Sequence, residues 1–365
     1  MSIQTLGFIG LGLIGGSIVK TAKRIYPHLR IIARSGRQST ITEAYHDDLI
    51  DNEKNASIEA FADCDYIFLC TPVQQNLTYI RQLQDVIKDT CILTDVGSVK
   101  GDIHRAVAEL GLEARFIGGH PMAGSEKTGL SNATAYLLEN AYYIITPTAQ
   151  VKKTYVKEFR DFIASLGAIP MVLDCDSHDE ATAAISHLPH VIASALVNLV
   201  EQSDDVHGTM KQIAAGGFKD ITRIASSSPV MWEEICLSNQ EKLLMMLDAY
   251  QESLSNIRAR IAAADASGIN RFFQSAKNYR DSLAIAPKGP LKTVFELYCD
   301  LIDEAGGIAT IATILASNNL SIKNIGIIHN REFEEGVLKI EMYDQPSYDR
   351  TITLLRKYHY KVYER

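Results

Sequence analysis

The chain has 365 residues, 46% of them hydrophobic and 22% charged, with a formal net charge of -8. At about 100 to 200 residues per domain, that length accommodates two or three domains with ample core. The acidic balance and the lack of any Lys/Arg block exclude general binding to nucleic acid or to an anionic membrane surface, both of which require clustered cations, and leave small-molecule chemistry.

The six cysteines, Cys64, Cys70, Cys91, Cys175, Cys236 and Cys299, lie far apart with no CxxC pair. Zinc or a disulfide framework is therefore not expected, and reduced core thiols are. The apolar run Leu6 to Ile9 begins without a basic leader, and no stretch approaches about 18 uninterrupted apolar residues, so the expected compartment is the cytoplasm.

Thr5 to Gly10 reads as a short buried strand. Gly10-Leu11-Gly12-Leu13-Ile14-Gly15-Gly16 follows, and then a helix whose apolar positions Ile18, Val19 and Ala22 run toward Ile25. A GxGxxG between strand and helix has a physical reading. The first glycine makes the tight turn, the second lets backbone amides reach a pyrophosphate, and the third packs helix on strand, with phosphate at the helix N-terminus. Leu29 to Ala33 is the second strand. An acidic residue at its end would grip the ribose hydroxyl of NAD, but here stand Arg34 and Ser35, with Arg37 nearby. That leans toward NADP or dual use. The alternative is that Arg34 merely stacks on adenine.

Strands at Tyr66 to Cys70 and Cys91 to Asp95 alternate with helical stretches near 75–87 and 100–110. The pattern predicts an α/β Rossmann-type doubly wound parallel sheet. Ligands bind beyond the carboxyl ends of such strands, which places Thr71, Pro72, Asp95 and Ser98 on one rim facing the nicotinamide end of a dinucleotide.

Phe116 to Gly118 is the next predicted strand, and Gly118-Gly119-His120-Pro121-Met122-Ala123-Gly124-Ser125-Glu126 is read as a glycine-bracketed loop. Pro121 pushes His120 toward extended backbone, so a fixed turn presents the imidazole, a geometry that suits a proton acceptor. A strand-to-turn corner whose histidine bonds only backbone carries equal weight at this point. Strands at Tyr142 to Thr146 and Ile169 to Leu173 flank a helix over 152–166, and the nucleotide domain is expected to end near residue 174.

From Ser177 to about Leu283 the strand signal vanishes and an all-helical domain is expected. Ser186-His187-Leu188-Pro189-His190 lies in its first helix, which Pro189 should kink. His187 and His190 lack a third ligand at a recognised spacing, so no metal is expected. At least one is read as a substrate hydrogen-bonding group, with a satisfied core histidine as the alternative for the other. Gly216-Gly217-Phe218-Lys219-Asp220-Ile221-Thr222-Arg223 enters a helix with Lys219 and Arg223 on one face. Arg223 can grip a carboxylate by two points and Asp220 can fix a neighbour. A solvated charged face is the plain alternative. Trp232 either walls a planar ligand or anchors core.

Pro287 to Pro290 is linker-like. After it the pattern is strand (294–301), turn at Gly306 and Gly307, helix (308–317), strands (325–328 and 336–342), helix (347–357) and strand (360–363). This β-α-β-β-α-β order is that of a ferredoxin-like α+β unit. The three expected domains are 1–174, 175–286 and 292–365.

GLGLIGGS near the start, DVGSVK around Ser98, GGHPMAGSE around His120, SHLPH around His190 and GGFKDITRIA around Arg223 occur in one order along nearly the whole chain. Together they resemble the TyrA family of prephenate dehydrogenases of tyrosine biosynthesis, in the form with a C-terminal ACT domain. The resemblance implies oxidative decarboxylation of prephenate with hydride transfer to NAD or NADP. His120 would be the catalytic hydrogen-bond acceptor, and Ser98 its orienting partner beside the nicotinamide. It implies that Arg223 and His190 bind substrate, with Gly216, Glu126, Lys219 and Asp220 in or around the pocket and Trp232 near it. It further implies a homodimer and an amino-acid effector, tyrosine, near the Asp303, Gly306 and Gly307 turn. Arg34 departs from the acid of many NAD-using relatives. Arogenate as substrate is the alternative within the family, and a non-catalytic nucleotide and amino-acid sensor is the alternative outside it.

Overall fold

The structure, a computed structural model, describes residues 3–124, 127–283, 295–300, 306–328 and 337–364. Contacts divide the chain into two units, residues 1–277 and 278–365.

The first unit begins with β1 (Thr5–Ile9), α1 (Leu13–Ile25), β2 (Arg30–Arg34), α2 (Gln38–His46), β3 (Tyr66–Leu69), α3 (Val73–Leu83), β4 (Ile92–Asp95) and α4 (Gly101–Glu109). The four strands form a parallel sheet in the order β2-β1-β3-β4. The order reverses between β1 and β3, and the crevice for a ligand opens there. β3 and β4 are buried along their whole length, as expected of parallel strands covered on both faces. Successive side chains serve opposite faces. Phe8 and Phe68 stack at 4.9 Å in one core cluster with Phe159 and Phe162, whereas Ile9, Ile67 and Leu69 join Phe61, Leu93 and Phe116 in the other.

The sheet departs from the all-parallel expectation. β5 (Ile117–Pro121), β6 (Tyr142–Pro147), α5 (Lys153–Ser165) and β7 (Ile169–Val172) follow, and these strands form a three-stranded sheet in which β5 and β6 are antiparallel and only β6 and β7 are parallel. Residues Leu93 and Phe116 bridge it to β4 in parallel sense. Parallel return requires a crossover element. The described residues between β5 and β6 hold only a short 3-10 turn, Leu130–Asn132.

Next come α6 (Cys175–Thr182), a π-helical turn (Ala183–His187), α7 (Leu188–Ser203), α8 (Thr209–Ile213), α9 (Gly216–Thr222), α10 (Pro229–Ser238), α11 (Gln240–Ala262) and α12 (Ala266–Ser282). The predicted helical domain is present. The distortion expected at Pro189 takes the form of the π turn just before it, with Pro189 in the first turn of α7, where a missing amide is tolerated. The continuous run Cys175–Ser203 is long and apolar enough by length and composition to cross a membrane, and the chain itself buries 17% of that apolar window. Polar residues such as Asp179, His187 and His190 interrupt it, so no uninterrupted apolar stretch marks it in the sequence.

The second unit contains β8 (Phe295–Asp300), α13 (Gly307–Ser317), β9 (Ile322–Ile328), β10 (Val337–Met342), α14 (Gln345–Lys357) and β11 (Val362–Glu364). Its strands form an antiparallel sheet in the order β11-β8-β10-β9. Leu297, Cys299, Leu338 and Ile340 alternate inward and pack on Ile311, Leu315 and Leu355 of the helices. Asp344 caps α14 by accepting from the Ser347 amide at 2.8 Å. The expected linker at Pro287 to Pro290 lies outside the described residues.

Candidate active site

The glycine turn is built as its spacing demands. Gly10 has φ +103°, and a Cβ there would meet the Cys70 carbonyl oxygen at 2.6 Å. A Cβ on Gly15 would meet the Gly10 carbonyl oxygen at 2.3 Å, so the third glycine is fixed by helix-strand contact. Around Gly12 there is open space where a Cβ would stand, and no side chain caps the start of α1. Leu11 is buried, while Leu13 and Ile14 open the helix. Free amides and an unobstructed glycine fit a pyrophosphate. At the end of β2 Arg34 donates to the Ala56 carbonyl at 2.6 Å, and Ser35 exchanges bonds with the Asn55 side chain at 3.0 and 2.6 Å. Thr71 donates to Asn76 at 2.6 Å and Pro72 precedes α3.

Asp95 and Lys100 form a buried ion pair, and Lys100 also donates to the Gly119 carbonyl at 2.8 Å. Asp95 accepts from the amides of Gly97 at 2.9 Å and Gly119 at 3.2 Å. This clamp ties the end of β4 to the residue before His120. A Cβ at Gly118 would strike the Thr146 hydroxyl at 2.2 Å, and one at Gly119 the Asp95 carbonyl at 2.7 Å. The glycine pair thus serves close packing between strands. His120 and Pro121 belong to β5, so a strand holds the imidazole, and the expected loop begins only after it.

His120 is buried, and its Nδ1 lies 2.8 Å from Nε2 of His178. His178 Nδ1 lies 2.7 Å from Oδ1 of Asp179. The same carboxylate accepts the amides of Lys100 and Gly101, both at 2.8 Å. Burial, followed by the positive charges of His178, Lys100 and His187, holds the His120 imidazolium well below its ordinary pKa. Burial pushes Asp179 upward, but the bonds from His178 and the two amides outweigh it and keep the carboxyl below the usual range. Ser98 is half-buried on the turn after β4 and makes no hydrogen bond to His120 among the described residues. The group bonded to His120 Nδ1 is His178.

The π turn directs His187 inward. It is buried, its Nδ1 is 3.2 Å from the Asn239 amide nitrogen, and its Nε2 has no partner. Burial lowers its pKa to about 4. His187 meets Trp232 edge-on at 6.0 Å, and His190 stacks on Trp232 at 3.8 Å. The indole Nε1 is likewise buried without a partner. His190 Nδ1 donates to the Ser186 carbonyl at 2.9 Å, which makes Nδ1 the protonated nitrogen. Burial lowers the His190 pKa, that backbone bond opposes the shift, and the positive charge of Arg223 adds to it. Arg223 starts a 3-10 turn after α9 and is exposed, as are Lys219 and Asp220, while Gly216 begins α9. Ring contacts join His187, Trp232 and His190. His120 lies near enough to His187, and Arg223 to His190, to interact electrostatically, and Arg223, Lys219 and Asp220 are all exposed. Glu126 and Asp303 lie outside the described residues. Gly306 adopts φ +96° before α13, and Gly307 is buried.

Lys100, His178, Asp179 and Asn239 were missed from the sequence. Lys100 stands inside the quoted DVGSVK stretch, and His178-Asp179 is an adjacent pair of chemistry-bearing residues at a helix start; both signals were available.

Residues 18–172 match the family described as "Prephenate dehydrogenase, nucleotide-binding domain", and residues 174–275 match "Prephenate dehydrogenase, dimerization domain". The prephenate dehydrogenase of Bacillus subtilis is 38% identical over 339 residues, 92% of this chain and 91% of that protein. That of Lactococcus lactis is 37% identical over 91% of this chain and 92% of the relative. Among solved structures, prephenate dehydrogenase from A. aeolicus in complex with hydroxyphenyl propionate and NAD+ superposes with a TM-score of 0.73 at 30% identity, covering 78% of this chain and 99% of that one. Synechocystis arogenate dehydrogenase gives 0.69 at 30%, covering 77% and 100%.

Proposed function

The chain belongs to the prephenate dehydrogenase family, and from this premise we propose that it oxidatively decarboxylates prephenate with His120 as the proton acceptor. It is an NAD(P)-dependent oxidoreductase. Bound dinucleotide supplies the hydride acceptor, for which Gly10 to Gly15 and the free start of α1 offer the seat. Arg34, without an acid beside it on β2, leaves both NAD and NADP open.

Prephenate carries two carboxylates and a ring hydroxyl, so its site needs cations for the acids and a base for the hydroxyl. A single observation carries the assignment. His120 is buried, held neutral at physiological pH and bonded at Nδ1, which leaves Nε2 as the lone pair for the hydroxyl proton. As hydride departs from the carbinol carbon, Nε2 accepts that proton. When the ring carboxylate leaves as carbon dioxide, its electron pair reaches the ring oxygen, which takes the proton back as the ring aromatises. No proton is consumed overall. In this reading Arg223, His190 and Trp232 bind the substrate acids and ring, with Gly216 beside them and the exposed Lys219 and Asp220 at the solvent edge. Glu126, outside the described residues, is assigned to the pocket by the resemblance alone. Ser98 is taken to face the cofactor with Thr71 and Pro72, and Asp95 is buried in its pair with Lys100.

We place the domains at residues 1–174, 175–286 and 292–365. The β-α-β-β-α-β order and antiparallel sheet of the second unit fit a ferredoxin-like fold, which we read, from the resemblance, as an ACT-type regulatory module taking tyrosine. The match to a dimerization domain, together with the exposed apolar surface of Cys175–Ser203, supports a homodimer, which we place in the cytoplasm. That run also carries buried His178, Asp179 and His187, polar groups suited to a protein site and not to lipid.

The test is turnover of prephenate, and separately of arogenate, with NAD+ and with NADP+. His120→Asn is expected to lower kcat by roughly 100-fold or more with a modest change in KM. Turnover of the variant near wild type removes the role.

A further inference from the structure

The carboxylate of Asp179, the ring of His178 and the ring of His120 lie in a line of two hydrogen bonds, 2.7 and 2.8 Å long, anchored at one end by two backbone amides. Donor and acceptor inventory fixes the direction of those bonds. An ionised carboxylate only accepts, so His178 Nδ1 bears hydrogen. In the neutral ring Nε2 then has the lone pair and accepts from His120 Nδ1. His120 is left with a bare Nε2, the tautomer that a proton acceptor requires. Without His178 the opposite tautomer, useless as a base at Nε2, is no longer disfavoured.

We propose that His178, backed by Asp179, is a positioning residue that sets the tautomer of His120 and shares the charge that His120 acquires during turnover. The proposal rests on the reading of His120 as the acceptor. When Nε2 of His120 takes the hydroxyl proton, its Nδ1 hydrogen moves along the existing bond to Nε2 of His178. The positive charge then sits next to the Asp179 carboxylate instead of beside Lys100, and all three groups keep their bonds. On aromatisation the ring oxygen takes the proton from His120 and His178 returns its own, so the relay ends as it began. Asn239 completes the support. Its side-chain amide donates to the Asp179 carbonyl at 2.8 Å and faces His187 at 3.2 Å, which fixes the start of α11 against α6.

Steady-state kinetics of the full chain with prephenate and saturating dinucleotide test this. His178→Ala is expected to lower kcat by roughly 10- to 100-fold, the scale on which supporting groups act, with KM for prephenate within about twofold. His178→Gln can accept from His120 at its oxygen and donate to Asp179 at its nitrogen, and is expected to recover part of the loss. A merely structural role predicts no such rescue and no separation of kcat from KM. Turnover of His178→Ala within twofold of wild type, or a glutamine variant no better than alanine, overturns the proposal. A measurement on the unaltered chain guards against misfolded variants. Ring nitrogen-15 spectra are expected to show His120 protonated at Nδ1 and bare at Nε2, and the reverse tautomer overturns the relay. Failure of the wild-type chain to turn over prephenate, or near-normal turnover by His120→Asn, instead overturns the acceptor assignment beneath it.

Discussion

Strand β3 buries all four of its residues, whereas helix α7, sixteen residues long, buries Ala193 alone. The contrast extends across the first unit. The nucleotide-binding half closes two clusters on the two faces of its sheets, but between Cys175 and Ser282 the only buried apolar side chains among the described residues are Ala183, Ala193, Ile235 and Leu243. Leu199, Val230 and Leu237 stand in water at 59, 69 and 66% exposure. One half completes its core within the chain. The other matches a dimerization domain and leaves apolar surface that a second copy would cover, and it is the half that contains Arg223, His190 and Trp232. The proposed proton acceptor is thus held by bonds within a single chain, while the groups proposed to hold the substrate acids belong to the half proposed to dimerise.

The largest expected effect tests that division directly. On the homodimer reading, with these exposed leucines in the interface, Leu199→Glu or Leu237→Glu introduces a charge twice over a twofold axis, at a penalty of several kcal/mol for each buried ion. Sedimentation should show dimer affinity falling by roughly 1,000-fold or more. Unchanged sedimentation of both variants breaks the comparison. A smaller effect separates the halves kinetically. Arg223→Ala removes a charge-assisted contact of about 1.5 to 3 kcal/mol and should raise KM for prephenate roughly 10- to 100-fold while dinucleotide KM stays put. An unchanged KM for prephenate removes Arg223 from the substrate site. A third effect is on stability against pH. His120 and His187 have folded pKa values below the unfolded value of about 6.5, so above that pH both states are neutral and stability is full. Below it the unfolded chain takes up protons first. Stability should fall by about 1.4 kcal/mol per pH unit for each such histidine, until His187 itself protonates near pH 4. Thermal melts from pH 7 to 4 check the slope, and a melting temperature that rises on acidification contradicts the burial of these rings.

What was legible in the sequence was what local chemistry controls. Gly10, Gly12 and Gly15 announce a phosphate turn because strand, glycines and helix are contiguous. The all-helical stretch after residue 177 and the final β-α-β-β-α-β order are legible for the same reason. The antiparallel pairing of β5 and β6 was not, because strand direction depends on the path of the intervening chain and not on the strand residues. Nor was the true use of Gly118 and Gly119, whose constraint comes from Thr146, Asp95 and Tyr143. His178 and Asp179 escaped notice because an isolated His-Asp pair reads as a solvated helix start. Their chemistry exists only once α6 is laid on α4 and β5, 58 residues away for the His120 bond.

Asp179 therefore holds two things at once, the first amides of α4 and the ring that orients His120. On the relay reading it works as an interlock. A helical half that is not seated on the nucleotide half has lost control of the tautomer at the same moment, so a chain caught mid-assembly is inert by construction. Fidelity of folding and readiness for chemistry are then checked by one carboxylate.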